Sequence, residues 1–458
     1  MPTTPSPVAA APAPRPPADP PGARADRAVA AILADLDSTT GRGVVVDSPP
    51  GAGKSTLVVR ATGHLTAAGR QVMIVAQTNE QVDDLVANLA RAHPGLPVGR
   101  LHAKDFVLPE RVTGHAQVTG SSDITALRDL PVVVSTAKKW AYVDVAKTGP
   151  WEWAIIDEAY QMRSDNLLAT APLFSAPGSR VLFVGDPGQL DPFATVDTDR
   201  WHGLTWDPLR NAVDVTLAHN PDLVRRQLPV SWRLPASAAP LVERAFYPFY
   251  PFTSGTTAAD RVLSYATESH ADTPVDALLS RAADTGWGCL ELSARHTADD
   301  DPEIAAALAH TAMRFLQRGA LASGVPVTED RICVGTARTV QAAAVRAELA
   351  EAGLHGITVD TANRLQGREF DITLVWHPLS GRLDASAFHL ETGRLCVLMS
   401  RHRYACVVVT RAGVRDLLDR HPRNQPVYLD VPPKFPDGWR AHQEVMAHLE
   451  RPEHRVKY

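Results

Sequence analysis

Three observations predict two tandem α/β domains, each built on a parallel sheet. Short β-branched runs recur along the chain, helical stretches separate them, and the alternation occurs twice. In the first half the runs are Val44–Asp47, Val72–Ala76, Val132–Ser135, Trp153–Asp157 and Val181–Gly185. In the second they are Ile332–Thr336, Ile357–Val359, Ile372–Trp376 and Ala405–Thr410. Runs that are apolar throughout, with no polar alternation, suit strands covered on both faces. Stretches such as Ser55–Ala68 and Glu80–Ala92 supply the crossover helices that parallel strands need.

An Ala-rich helix from about Asp26 to Leu36 opens the folded part. Residues 1–24 are almost all Pro, Ala and small polar residues, which bury too little apolar surface to offset ordering, so they read as a disordered arm. The expected division is then arm 1–24, first domain 25–222, second domain 223–420 and a C-terminal extension 421–458. Residues 193–228 and 237–330 lack a clear period and read as insertions on the two sheets.

Composition narrows the class. The 458 residues are 45% hydrophobic and 21% charged, ordinary for a globular protein with real cores. A net charge of −5 argues against a generally basic surface but leaves room for a local basic channel. Cys289, Cys333, Cys396 and Cys406 are too scattered for a zinc or redox motif and read as reduced thiols. No apolar run approaches the roughly 20 residues that span a bilayer, and the N-terminus lacks the order of a signal peptide. The expectation is a cytoplasmic protein with no membrane partner.

The chemistry concentrates in three blocks. Ser48-Pro49-Pro50-Gly51-Ala52-Gly53-Lys54-Ser55-Thr56 joins a strand to a helix, which aims backbone N–H groups and a helix dipole at one point, as a polyphosphate requires. Lys54 would reach the β- and γ-phosphates and the Ser55 hydroxyl would ligate magnesium. Trp153–Asp157 is an apolar strand ending in two acids: Asp157 suits the magnesium shell and Glu158 a general base toward water. Val184-Gly185-Asp186-Pro187-Gly188-Gln189 ends another buried strand, and Gln189 could sense the γ-phosphate; a plain turn is the competing reading.

With these blocks in place the chain resembles superfamily 1 helicases, nearest the 5′-to-3′ branch that includes the nonsense-mediated-decay helicases. Nine segments in family order carry the likeness: SPPGAGKST, AQTNEQVDDL, VVVSTAKKW, IIDEAYQ, GDPGQLDP, LPVSWRLP, VGTARTVQ, VDTANRLQGREFD and RLCVLMSRHR. The resemblance implies two RecA-like P-loop domains with ATP and Mg²⁺ at their interface. It implies that Arg233 reaches the γ-phosphate from the second domain, that Arg401 is an arginine finger, and that Gly367 and Glu369 lie near the ribose and phosphates. A guanidinium brought in by domain closure would stabilise charge on the transferring phosphoryl group.

The implied partner is single-stranded nucleic acid, DNA before RNA. Thr78, Asn79, Ser135 and Thr136 in the first domain, and Thr361 in the second, match backbone-contacting positions, although capping or turn residues would look the same. Two departures stand out. Residues 1–42 contain no glutamine, where family members carry one that reads adenine; Arg27 is a candidate substitute. Only about 40 residues separate AQTNEQ from VVVSTA, where relatives insert an accessory barrel, and Val98–Val112 would make a small hairpin at most. Asp299–Glu303 reads as a helix cap, the tryptophans mostly as core, with Trp140 the best candidate for base stacking. The sequence thus reads as an ATP-driven translocase, with an ATP-dependent switch that clamps nucleic acid or a protein as the alternative.

Overall fold

The computed structural model describes residues 19–38, 41–190, 192, 199–201, 204, 207–267, 273–297, 299–420 and 437–458. Most of the expected arm, residues 1–18, lies outside them. The first helix, α1 (Pro21–Asp37), begins inside the segment expected to be arm, because a proline at the first helical position has its φ already set and lacks only an N–H that would be orphaned anyway.

Eight parallel strands form the first sheet: β1 (Gly43–Asp47), β2 (Val72–Ala76), β3 (Val98–Leu101), β4 (Val118–Ser121), β5 (Val132–Thr136), β6 (Trp153–Asp157), β7 (Arg180–Gly185) and β8 (Val224–Gln227). Their order is β4-β3-β5-β2-β6-β7-β1-β8. Helices α2 (Lys54–Ala67) and α3 (Asn79–Ala92) make two of the crossovers. The central strands are buried end to end, as their unbroken apolar runs require.

Two expectations need correcting here. The region around 98–112 is no hairpin: β3 and β4 run parallel, joined through the short helix Glu110–Thr113, and extend the sheet edge. The boundary at 222 falls one strand early, because Val224–Gln227 pairs with β1 in register Val44↔Val224 to Asp47↔Gln227.

The second sheet holds β9 (Trp287–Leu292), β10 (Ile332–Thr336), β11 (Thr358–Thr361), β12 (Phe370–Trp376), β13 (His402–Arg411) and β14 (Arg455–Lys457), in the order β11-β10-β12-β13-β9-β14, all parallel. Helix α4 (Ala239–Phe246) enters this domain, α5 (Pro274–Thr285), α6 (Pro302–Gln317) and α7 (Thr339–Glu351) cover the sheet, and α8 (Thr392–Met399) faces the first domain. The expected extension also belongs here. Helix α9 (Gly438–Leu449) packs against α4 and α8, and β14 pairs with β9. Asp301 caps α6 as expected, accepting from the Ile304 amide, and also forms a buried ion pair with Arg411 at 2.6 Å.

A run of histidines lines the seat of α9. His377, His402 and His442 are fully buried, with His389 and His454 nearly so. The His377 and His442 rings lie 5.2 Å apart, and Trp287 sits 5.0 Å from His402 and 5.3 Å from His448. Burial holds His377 and His402 down to about 3, and pushes His442 well below its ordinary value.

Candidate nucleotide site at the seam between two sheets

Parallel pairing aligns the chemistry. Asp47 of β1 is level with Gly185 of β7, and Val184 of β7 is level with Asp157 of β6. The loops leaving these three adjacent strands therefore open at one edge, the edge where ligands of such sheets bind. The Ser48 amide donates to the Gly185 carbonyl at 2.9 Å, which ties the first loop to the third.

The loop from Ser48 to Gly53 turns on two left-handed glycines, Gly51 (φ 71°) and Gly53 (φ 92°), the latter capping α2. Side-chain-bearing residues avoid both conformations. Ser48, at the head of the loop, is fully buried. Segment 230–233 braces the outer side: Ser231 Oγ donates to the Pro50 carbonyl at 2.6 Å and the Trp232 amide to the Gly51 carbonyl at 2.9 Å. Pro50, Gly51, Ala52 and Gly53 thus form the cradle, with Lys54 and the exposed Ser55 and Thr56 on the first helical turn.

Lys54 Nζ lies 3.7 Å from Glu158 and 3.8 Å from Asp186, so its ammonium is held among acids that a polyphosphate would displace. Asp157 accepts from the Glu158 amide at 3.0 Å. Burial, then the neighbouring Glu158, pushes the Asp157 carboxyl up to about 7 despite Lys54. A divalent cation there would restore its charge. Ser55 and Asp157 fit magnesium because that ion takes few protein ligands and fills its shell with water and phosphate oxygens. Glu158 is one of two non-glycine residues with positive φ among those described, at 49°. Strain of this kind collects at functional sites.

Gln189 joins the two domains. Its Nε2 donates to Asp186 at 2.6 Å, and its Oε1 accepts from Gln366 of the second domain at 2.5 Å. A Cβ on Gly393 of α8 would fall 2.5 Å from the Gln189 carbonyl oxygen, so the helix approaches that backbone as closely as glycine allows. Tyr247, at the end of α4, donates to Asp186 at 2.6 Å.

The two expected arginines stand at this seam. Arg233 lies directly against the phosphate loop: a Cβ on Gly51 would fall 2.2 Å from its own Cβ. It pairs with Glu369 at 3.1 Å and donates to the Gly367 carbonyl at 3.5 Å. Burial alone would raise the Glu369 carboxyl, but Arg233 and Arg403 hold it below its ordinary range. Gly367 carries φ 79°. Arg401 is fully buried, donating to the carbonyls of Val397 and Arg368 and to Ser400 Oγ. Burial and the nearby Arg233 lower it to about 10, still charged at neutral pH. It forms no ion pair among the described residues, so an anionic phosphate would supply the counter-charge it lacks.

The nucleic-acid candidates fare differently. Thr78 caps α3 in a capping box and Thr136 caps the short helix Ala137–Trp140. Asn79 Oδ1 accepts from Arg100 at 3.0 Å. Ser135 is fully buried and donates to the Leu101 carbonyl at 2.6 Å, which removes it as a strand contact in this conformation. Thr361 is buried at the end of β11, level with Thr336. Trp140 is core, its Nε1 donating to the Ile74 carbonyl at 2.9 Å. Sequence reading passed over Asp186, Tyr247, Gln366 and Trp232; three of these lie inside blocks it quoted, while nothing local marks Tyr247.

Known proteins resemble this chain in part. The family model described as "AAA domain" matches residues 27–200. "DNA replication ATP-dependent helicase/nuclease DNA2" of Saccharomyces cerevisiae is 28% identical over 162 residues, 34% of this chain and 10% of that protein. "Replicase polyprotein 1ab" of Alphamesonivirus 1 is 27% identical over 144 residues, 31% of this chain and 3% of that one. The matched stretch therefore spans a tenth or less of these two relatives. Among solved structures, the arterivirus nonstructural protein 10 helicase in complex with DNA covers 86% of this chain and 65% of its own, at 16% identity and a TM-score of 0.42. The chain thus carries an AAA-domain match over most of its first sheet, followed by a second α/β unit on a parallel sheet.

Proposed function

We propose that the chain hydrolyses ATP with Mg²⁺ and uses the cycle to move along single-stranded nucleic acid, DNA before RNA. The observation that carries this reading is the chain of contacts from Lys54 through Asp186 and Gln189 to Gln366. Loss of the γ-phosphate would free Lys54 to return to its acids, and each such change is passed to the second domain within three side chains. Bound ATP would draw Arg233 and Arg401 onto the phosphates and close the seam; hydrolysis would release it. Alternating grip by two domains is then translocation.

The relatives support the nucleic-acid partner by their printed names: one is a DNA replication helicase/nuclease, and the arterivirus helicase is solved with DNA. The second reading, a clamp that switches without unwinding, draws on one observation. Strands β3 and β4 extend the first sheet, so residues 98–121 form no separate accessory domain to grip a duplex. No helix among the described residues is long and apolar enough to cross a membrane. The four free, buried cysteines support the cytoplasmic location that we propose.

Single-stranded DNA is expected to raise the steady-state ATPase rate at least about tenfold, since strand binding orders the domains around the phosphates. The assay compares single-stranded DNA, single-stranded RNA and duplex in parallel. An unchanged rate with all three would contradict a motor. Stimulated ATPase without displacement of a tailed duplex would favour the clamp.

A further inference from the structure

Beside the phosphate loop lies a cavity of about 360 Å³. Ala25, Asp26 and Val29 of α1, Thr56 and Arg60 of α2, and Trp232 contribute to its wall. Positions three and four apart share a helix face, so this is one face of α1. Arg27 is not on it and pairs instead with Asp19, so it does not serve as the base reader. Helix α1 is tied down at both ends: Arg24 donates to Thr253 Oγ1 at 3.1 Å, and Arg226 pairs with Asp35 at 2.6 Å.

The cavity has the chemistry of a nucleobase site. Trp232 presents an indole that is 42% exposed and rests on Gly255, where a Cβ would fall 2.4 Å from the ring. Ala25 and Val29 are apolar. The charged groups lining it are Asp26 and Arg60, 3.9 Å apart and both open to solvent. No amide side chain lines the cavity.

We propose that Asp26 and Arg60 read the base of the bound triphosphate, and that guanine is taken at least as well as adenine. This rests on the NTPase reading above. A carboxylate only accepts hydrogen bonds, through two oxygens, and a guanidinium only donates them. Guanine shows N1–H and N2–H₂ side by side for the carboxylate, with O6 next to them for the arginine. Adenine offers fewer bonds to the pair, N6–H₂ to one carboxylate oxygen and N1 to the arginine, and leaves the second carboxylate oxygen unused.

The test is kcat/KM of the full chain, with a single-stranded DNA oligomer present, for ATP, GTP, ITP and XTP. Unmodified protein is expected to use GTP at least as well as ATP, and ITP, which lacks the 2-amino group, several-fold less well than GTP. Asp26→Asn is expected to lower the GTP value about tenfold, the scale of one charge-assisted hydrogen bond. It should raise the XTP value, because the new amide N–H₂ meets the xanthine O2. A structural role for Asp26 would lower all four together. A reproducible preference for ATP over GTP in the unmodified chain overturns the proposal, as does an equal effect of Asp26→Asn on every base. Should Asp26→Asn not fold, the unmodified series still decides through GTP against ATP and ITP. Hydrolysis of none of the four would instead defeat the NTPase reading itself.

Discussion

Glu158→Gln is expected to bind ATP about as tightly as the unmodified chain and to hydrolyse it on the order of 10³-fold more slowly, the usual contribution of a general base. The exchange keeps the size of the side chain and its place beside Lys54, and removes only the capacity to take a proton. The backbone argues the same way. Glu158 holds a left-handed conformation at the end of β6, a strain that the flanking pairing of Asp157 with Val184 sustains. Lys54→Ala should differ in kind. It removes the ammonium that faces the phosphates and leaves Glu158 and Asp186 close together without their cation, so binding as well as turnover should fall. Equilibrium titration with a fluorescent triphosphate, set beside single-turnover hydrolysis, separates the two. Near-native hydrolysis by either variant would remove these residues from the site.

Acid is expected to unfold the second domain sharply between about pH 6 and pH 4, by order-of-magnitude reckoning. His377, His402 and His442 are fully buried, and burial keeps each neutral in the folded state far below the value of 6.5 that an unfolded histidine has. The unfolded chain therefore binds protons that the folded chain refuses. The stabilisation is whole above pH 6.5 and is lost as pH falls from there toward about 3, the folded value for His377 and His402. Each histidine held neutral in this way costs on the order of 1 kcal/mol per pH unit in that window, against a typical total stability of roughly 5–15 kcal/mol. Trp287, in ring contact with His402 and His448, should report the transition in its fluorescence. His402→Phe should move the midpoint lower, because neither His402 ring nitrogen has a hydrogen-bond partner among the described residues. A flat fluorescence and circular dichroism signal down to pH 4 would show that these rings charge without cost.

How much of this was legible in sequence depended on how local each feature is. Strands 72–76, 153–157 and 332–336 came out residue for residue, because a buried parallel strand writes its own unbroken apolar run. The phosphate loop, the acids after β6 and Gln189 were likewise legible, since each site residue sits next to the turn that aims it. Edge strands were not. Val-Arg-Arg-Gln of β8 and Arg-Val-Lys of β14 are short and polar on their open sides, and only their pairing partners make them strands. Trp287–Leu292 lay in a stretch read as insertion, although all but one of its residues are buried. Tyr247 was invisible for another reason: its role rests on Asp186, 61 positions away in sequence. Thr78 and Thr136 looked alike as caps and as strand contacts, and the fold uses their oxygens as caps.

The proposed cycle requires Lys54 and Asp157 of one domain to share a nucleotide with Arg233 and Arg401 at the seam. Single-turnover hydrolysis by Arg401→Ala, with ATP affinity measured on the same sample, tests it most directly. Affinity within a few-fold of native and hydrolysis slowed on the order of 10³-fold or more is the expected result, the scale of a lost arginine finger. Hydrolysis at the native rate by a folded Arg401→Ala protein would mean that the second domain contributes no charge to the reaction.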